Sequence, residues 1–392
     1  MTPAARLQAA IELADAVIAS ARDDGPPADA IVQRYFKTRR YAGSKDRRAV
    51  RELLFRAIRH AAERPATGRA ALVGLAASDA DLAPLFDGSP HGAAAIDPGE
   101  VGATAGIIPA WLIPRLSRLV TTGEHAALLE RAPLDLRINP ARTDRAAMLA
   151  AFPDAAPTAL SPWGLRLPVD TLVEPSDAYQ SGLVEIQDEG SQLIALACQP
   201  ADGLTILDLC AGAGGKALAL AAAAPGATII ASDTNRQRLG HLPDRAARAG
   251  ATIATRLIDG GREAAMLADL NATADVVLVD APCSGSGTWR RNPEGRWRLT
   301  PERLDRLIKL QARLLELAAP LVRPGGALVY ATCSLIAAEG AGQVENFLGR
   351  RSDWVAQDGL DGCGRVDGAG RLLTPGHDRT DGFFVARLIA PC

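Results

Sequence analysis

From Val184 onward, short apolar runs alternate with helix-forming stretches, and each run ends at or beside an Asp or a Cys. The runs are TILDLC (205–210), TIIASD (228–233), ATIATRLID (251–259), DVVLVDAPC (275–283) and GALVYATCS (326–334). Helix-like ALALAAAA follows the first of them. Strands alternating with helices predict βαβ units around a parallel sheet, an α/β fold of Rossmann-like type. In such sheets ligands sit beyond the carboxyl ends of the strands. The polar residues therefore collect where a ligand would bind.

The first strand runs into a glycine-rich turn, Cys210-Ala211-Gly212-Ala213-Gly214-Gly215-Lys216. Glycines let a chain turn tightly and bring bare backbone amides against a ligand at a helix N-terminus. About 18 residues on, Asp233 closes the second strand, where a carboxylate suits ribose hydroxyls. Asp259 and Asp280 close the next two. Nicotinamide enzymes and adenosylmethionine methyltransferases share this pattern, so it does not separate them.

Two cysteines narrow the choice. Cys283 sits in a Pro-Cys turn after one strand, and Cys333 ends the next. A lone cysteine at a strand end reads as a buried hydrophobe. Two in matched positions, each followed by Ser, read as chemistry. Adjacent strands lie about 4.8 Å apart, so neighbouring strands would put both thiols in one cleft. A thiolate is a soft, potent nucleophile. Cys198, Cys363 and Cys392 have no such context, and none of the five histidines stands out as a base. The cysteine and histidine spacings match no zinc site, so no metal is expected.

The first 130 residues read differently. Leu7, Ala10, Ile11, Ala14 and Ile18 recur at helical spacing, and a second periodic stretch covers 49–62. Before it lies RYFKTRRYAGSKDRR, with Arg39, Arg40, Lys45, Arg47 and Arg48 interleaved with Tyr35, Phe36 and Tyr41. Cations neutralise phosphates and aromatics stack on bases, so this stretch is an RNA-contact candidate. The other reading is a solvated helix face over core aromatics. Residues 107–129 predict more helix, with Pro109 in a first turn. LDLRI (134–138), a capped helix in TDRAAMLAAF and a strand in GLRLP predict a small α/β module. The expected domains are 1–130 helical, 131–175 small α/β and 176–392 catalytic. The net charge of −2 confines any nucleic-acid site to a local patch. No apolar run is long enough to span a bilayer, and the N-terminus lacks a signal-peptide pattern, so a cytoplasmic monomer is expected.

CAGAGGK, DAPCSGSGTWRRNPE and ATCS together resemble the RNA cytosine-5 methyltransferase family. The chain is most similar to its RsmB-like bacterial branch, which acts on small-subunit ribosomal RNA. Ala213 and Ala217 stand where that family usually has Pro and Thr. The resemblance implies a NusB-like helical RNA-binding domain, an RRM-like small module and S-adenosylmethionine as cofactor. It makes Cys333 the attacking thiol and Cys283 the group that assists release. Asp280 would contact the cytosine or the methionine end of the cofactor, and Lys216 would favour thiolate. Residues 210–216 would wrap the methionine end, Asp233 the ribose and Asp259 the adenine. Arg290, Arg291 and Arg296, with Trp289, Trp297 and Arg298, suit single-stranded RNA. Their other reading is a helix face packed by tryptophan.

Two rivals remain at this point. The first is a DNA or small-molecule methyltransferase; a DNA-type cytosine-5 enzyme would attack with the Pro-Cys cysteine, Cys283, and the ATCS thiol argues against it. An RNA-binding, antitermination-like factor would carry the same fold with an inert catalytic half.

Overall fold

The computed structural model describes residues 1–392, and the chain divides into two compact units. The first comprises Met1–Leu116, Thr122–Glu130 and Thr288–Pro301. The second comprises Ser117–Thr121, Arg131–Gly287 and Glu302–Cys392.

The first unit is helical: α1 (Pro3–Arg22), α2 (Ala28–Lys37), α3 (Ser44–His60) and α4 (Gly68–Ala76). The Thr2 hydroxyl caps α1 by accepting from the Ala5 amide, and all five periodic apolar residues of α1 are buried. Asp46 reaches back from the first turn of α3 to the Gly43 amide and also pairs with Arg6. Gly68 lets α4 cross α1 closely, because a Cβ there would collide with the Ile11 carbonyl and the Asp15 backbone. Residues 107–129 do not form the expected helices; only three single 3-10 turns occur, at 113–115, 122–124 and 126–128. Pro109 and Pro114 remove two amide donors from that stretch, and Gly123 weakens what is left.

Thr288–Pro301 is the unforeseen part of this unit. Trp297 is 1% exposed and packs in the same core as Leu7, Leu54 and Leu72. Its indole N–H donates to the Ala61 carbonyl at 3.0 Å. Arg296, equally buried, donates to the carbonyls of Ile58 (2.5 Å), Gly106 (3.3 Å), Ile107 (2.5 Å) and Pro293 (3.0 Å). The last carbonyls of a helix have no partner within it, and a cation suits that negative end. The segment therefore terminates α3. Arg298 adds bonds to the carbonyls of Gly25 and Pro26. No boundary drawn along the chain at residue 130 or 175 can express this excursion.

The second unit contains two sheets. The smaller one is antiparallel, in the order β2 (Ala156–Pro157), β3 (Gly164–Leu167), β1 (Leu134–Ile138), β4 (Val184–Ile186). Asp144 caps the helix Arg145–Ala151 over it, as expected from TDRAAM. β4 pairs with β1 and so carries the small module past 175. The larger sheet holds five parallel strands, β5 (Thr205–Asp208), β6 (Thr228–Asp233), β7 (Ile253–Leu257), β8 (Ala274–Asp280) and β9 (Val322–Thr332). An antiparallel extension follows, built from β10 (Val355–Gln357), β11 (Arg365–Asp367), β12 (Gly370–Leu373) and β13 (Phe383–Ile389). The order is β11-β12-β13-β9-β8-β5-β6-β7, so the winding reverses between β5 and β8. A reversal opens a crevice at the carboxyl ends of those two strands. Both the glycine-rich turn and the Pro-Cys turn leave the sheet there.

Candidate active site

Asp208 ends β5 fully buried, and neither carboxylate oxygen has a hydrogen-bond partner. Burial, and then the nearby Asp280, push its pKa up to about 7, while Lys216 pulls the other way.

The turn after it is shaped by glycine. Gly212 and Gly214 have φ of 56° and 82°, and a Cβ at Gly214 would strike Leu242. The helix Gly215–Ala223 begins at once, leaving its first-turn amides free of intrahelical partners. Asp233 fixes the turn from β6: one oxygen accepts from the Gly212 amide at 2.7 Å, the other from the Asn235 amide at 2.6 Å. Each oxygen keeps a lone pair for a hydroxyl. The open amides of the turn and the Asp233 carboxylate fit the amino-acid and ribose parts of adenosylmethionine. Asp259 stands apart from them, exposed after β7 and 4.0 Å from Arg262. The Cys210 thiol is pushed up by burial and by Asp208, so it stays neutral.

Lys216 points to the other side of the crevice and pairs with Asp280 at 2.6 Å. Burial opposes its charge, but Asp280, Asp208 and Cys333 outweigh it, and the net shift is upward. The ammonium is therefore firmly charged.

β8 and β9 are hydrogen-bonded parallel neighbours, with Asp280 opposite Ala331. Their turns bring the Cys283 and Cys333 sulfurs to 3.3 Å. The contact to Cys333, followed by burial, raises the Cys283 thiol well above its ordinary value. What holds these turns has no local mark in the sequence. Glu339, fully buried, accepts from the Ser284 amide (2.9 Å), the Gln311 amide group (2.8 Å) and the Ser334 hydroxyl (2.6 Å). The hydroxyls of Ser284, Ser286 and Ser334 interlink at 3.1–3.2 Å. Only the Ser after each cysteine was visible as a signal.

The two arginine stretches come out differently. Arg40, Lys45, Arg47 and Arg48 are exposed, as is Tyr41, while Phe36 is core and Tyr35 bonds Glu12. Arg39 stacks 3.6 Å over Tyr35 and pairs with Glu12. In the other stretch Trp289 and Trp297 are each 1% exposed, Arg290 and Arg296 are buried, and Arg291 is partly covered. Arg296 gives its guanidinium to backbone carbonyls, so the RNA contact expected of it is replaced by a structural role. The tryptophan-packed alternative describes this segment.

Residues 194–389 match the family described as 16S rRNA methyltransferase RsmB/F. Ribosomal RNA small subunit methyltransferase B of Salmonella arizonae is 36% identical over 288 residues, 72% of this chain and 66% of that protein. Its counterpart from Xylella fastidiosa (strain Temecula1) is 37% identical over 290 residues, with the same coverage of 72% and 66%. The match thus spans just under two thirds of these relatives. Among solved structures, PH0851 superposes with a TM-score of 0.76 at 21% identity, over 97% of this chain and 98% of that one. NSun6 from Pyrococcus horikoshii, crystallised with SFG, gives 0.60 at 18% identity over 68% of this chain and 93% of its own. At such identities the likeness is one of fold. The family match and the curated relatives carry the assignment: the chain belongs to the RsmB/F family of 16S rRNA methyltransferases.

Proposed function

We propose that the chain methylates C5 of a cytosine in small-subunit ribosomal RNA, with adenosylmethionine as methyl donor and Cys333 as nucleophile. The observation that carries the chemistry is the 3.3 Å thiol pair at the switch point, beside a charged Lys216 and an amide-lined turn. The substrate class rests on the curated relatives, both named for small-subunit ribosomal RNA.

C5 of cytosine is a poor nucleophile. The Cys333 thiolate adds at C6, and the ring electrons shift so that C5 becomes enamine-like. Bound adenosylmethionine supplies an electrophilic methyl group to that carbon. Loss of the C5 proton to a base then re-forms the C5–C6 double bond and expels the Cys333 thiolate. Cys283, in contact with that sulfur, assists release. Lys216 and Asp280 place a proton donor and a carboxylate at the same spot, to steady charge on the ring. A base in structured RNA must leave its stack to enter such a crevice. Arg40, Lys45, Arg47, Arg48 and Tyr41 offer an exposed basic and aromatic surface that suits RNA phosphates and unpaired bases.

The direct test is methylation of 16S rRNA transcribed without modifications, read by bisulfite sequencing. One cytosine should become resistant to conversion. Methyl incorporation into a purine, or none, overturns the reading, and absence of adenosylmethionine binding by calorimetry favours the inert RNA-binding factor. Asp233→Ala should weaken adenosylmethionine binding about 10- to 100-fold, because it removes the charged acceptor for a ribose hydroxyl, a bond worth roughly 1.5–3 kcal/mol. Unchanged affinity in the same titration removes Asp233 from the cofactor site.

A further inference from the structure

Two chemically identical thiols in contact need something to tell them apart. The surroundings of the pair are not symmetric. Lys216, reaching over from the cofactor turn, counts Cys333 among the groups that stabilise its charge. Glu339 bonds the backbone amide of Ser284, directly after Cys283, and only the side-chain hydroxyl of Ser334, directly after Cys333; its charge contributes to the upward push on the Cys283 thiol.

Glu339 is held as an acceptor from several sides. Its carboxyl receives donors from three separate elements: the Pro-Cys turn through Ser284, the helix Pro301–Ala318 through Gln311, and the Cys-Ser turn through Ser334. A carboxylate accepts at both oxygens, whereas a protonated acid would waste one. Gln311 also bonds the Pro282 carbonyl at 2.9 Å, and Tyr330 gives its hydroxyl to the Glu339 carbonyl at 2.7 Å. The same side chain thus ties both cysteine turns to one frame. The groups around the thiols include Tyr330 from β9, Glu339 after it, Lys216 from the cofactor turn with its partner Asp280, and the Gly285 amide, which bonds Cys283 and opposes the upward push on that thiol. Tyr330 is driven far up by burial and stays a neutral phenol.

We propose that Glu339 is the positioning residue of the thiol pair. Its carboxylate locks the two cysteine turns together and places negative charge beside Cys283, so that Cys283 remains a thiol and the thiolate forms on Cys333. The division of labour is then a property of the site and not of the sulfurs. This rests on reading Cys333 as the attacking residue, but it makes a claim that needs no RNA.

The test is the initial rate of iodoacetamide alkylation of each cysteine between pH 6 and 9, located by peptide mass spectrometry. In the wild-type protein Cys333 should react at least ten times faster than Cys283; faster reaction at Cys283 overturns the proposal outright. Glu339→Gln keeps the length and removes the charge, and should cut that preference about tenfold. Glu339→Asp keeps the charge and shortens the reach, and should hold the preference while methyl transfer drops at least tenfold. Adenosylmethionine affinity should stay within twofold in both, since Glu339 touches no part of the cofactor turn. An unchanged thiol preference in a folded Glu339→Gln protein overturns the proposal. If that variant does not fold, the wild-type ratio and Glu339→Asp decide: loss of preference in Glu339→Asp sinks it. Failure of RNA methylation with the thiol preference intact would count against the proposed function and leave this assignment standing.

Discussion

Cys283→Ala is expected to accumulate a protein–RNA adduct that survives denaturing electrophoresis, and Cys333→Ala to form none. The expectation follows from the order of bonds. Attack makes a Cys333–C6 bond, and release must break it. The residue whose sulfur touches Cys333 at 3.3 Å is the one placed to help that departure. Removing it leaves attack and methyl transfer possible and stalls the last step. Removing Cys333 leaves no first bond at all, and turnover should fall at least about 10³-fold, as losses of nucleophiles do. The double variant should behave like Cys333→Ala, because effects within one catalytic unit do not add. Adenosylmethionine and a 16S rRNA transcript suffice for the assay, with the attachment site mapped by mass spectrometry. An adduct in Cys333→Ala would move the attack to Cys283, as in the DNA-type enzymes. Methylation without any adduct in either variant would remove the covalent route.

The parts of this site that were legible in the sequence are the parts built by local rules. A strand that ends in Asp and turns through Gly212 and Gly214 announces itself, because the turn needs positive φ. The cysteines were legible because β8 and β9 are consecutive strands and consecutive strands are often neighbours. Glu339 was not, although it stands in the same stretch as Cys333. Its partners Ser284 and Gln311 lie 55 and 28 residues away in sequence, and nothing local marks a carboxylate that three elements will surround. Asp208 was passed over although its strand was read, because nothing local tells a strand-end carboxylate that will be fully buried from one that stays open. The stretch 107–129 failed on chemistry that was visible, since Pro109 and Pro114 both deny helix donors. The stretch after Cys283 failed on topology. Arginine and tryptophan in alternation have the same composition whether they bind RNA or fill a core.

That last ambiguity sets up a second large effect. Trp297→Ala should destabilise the helical unit by about 3–5 kcal/mol, the usual cost of emptying a buried aromatic site. The indole is 1% exposed, lies among apolar residues of α1, α3 and α4, and satisfies the Ala61 carbonyl just past the end of α3. Arg296→Gln should cost roughly 1–3 kcal/mol for each buried carbonyl left without a donor. Burial and then Arg59 hold the Arg296 pKa down to about 10, so the side chain is a cation at neutral pH and works as one at the helix end. A chain of two units need not unfold in one step, so the measurement is hydrogen exchange of α1 and α3 amides in native buffer. Both variants should lose protection there, while amides of β5 and β8 keep theirs. A phosphate contact would behave differently. Removing one lowers the slope of log affinity against log salt by about one and leaves stability alone. For Arg296→Gln we expect the salt slope of RNA binding to stay unchanged, whereas Arg48→Gln, on the exposed face of α3, should lower it. A fall in slope for Arg296→Gln with α3 still protected would restore that arginine to the RNA surface.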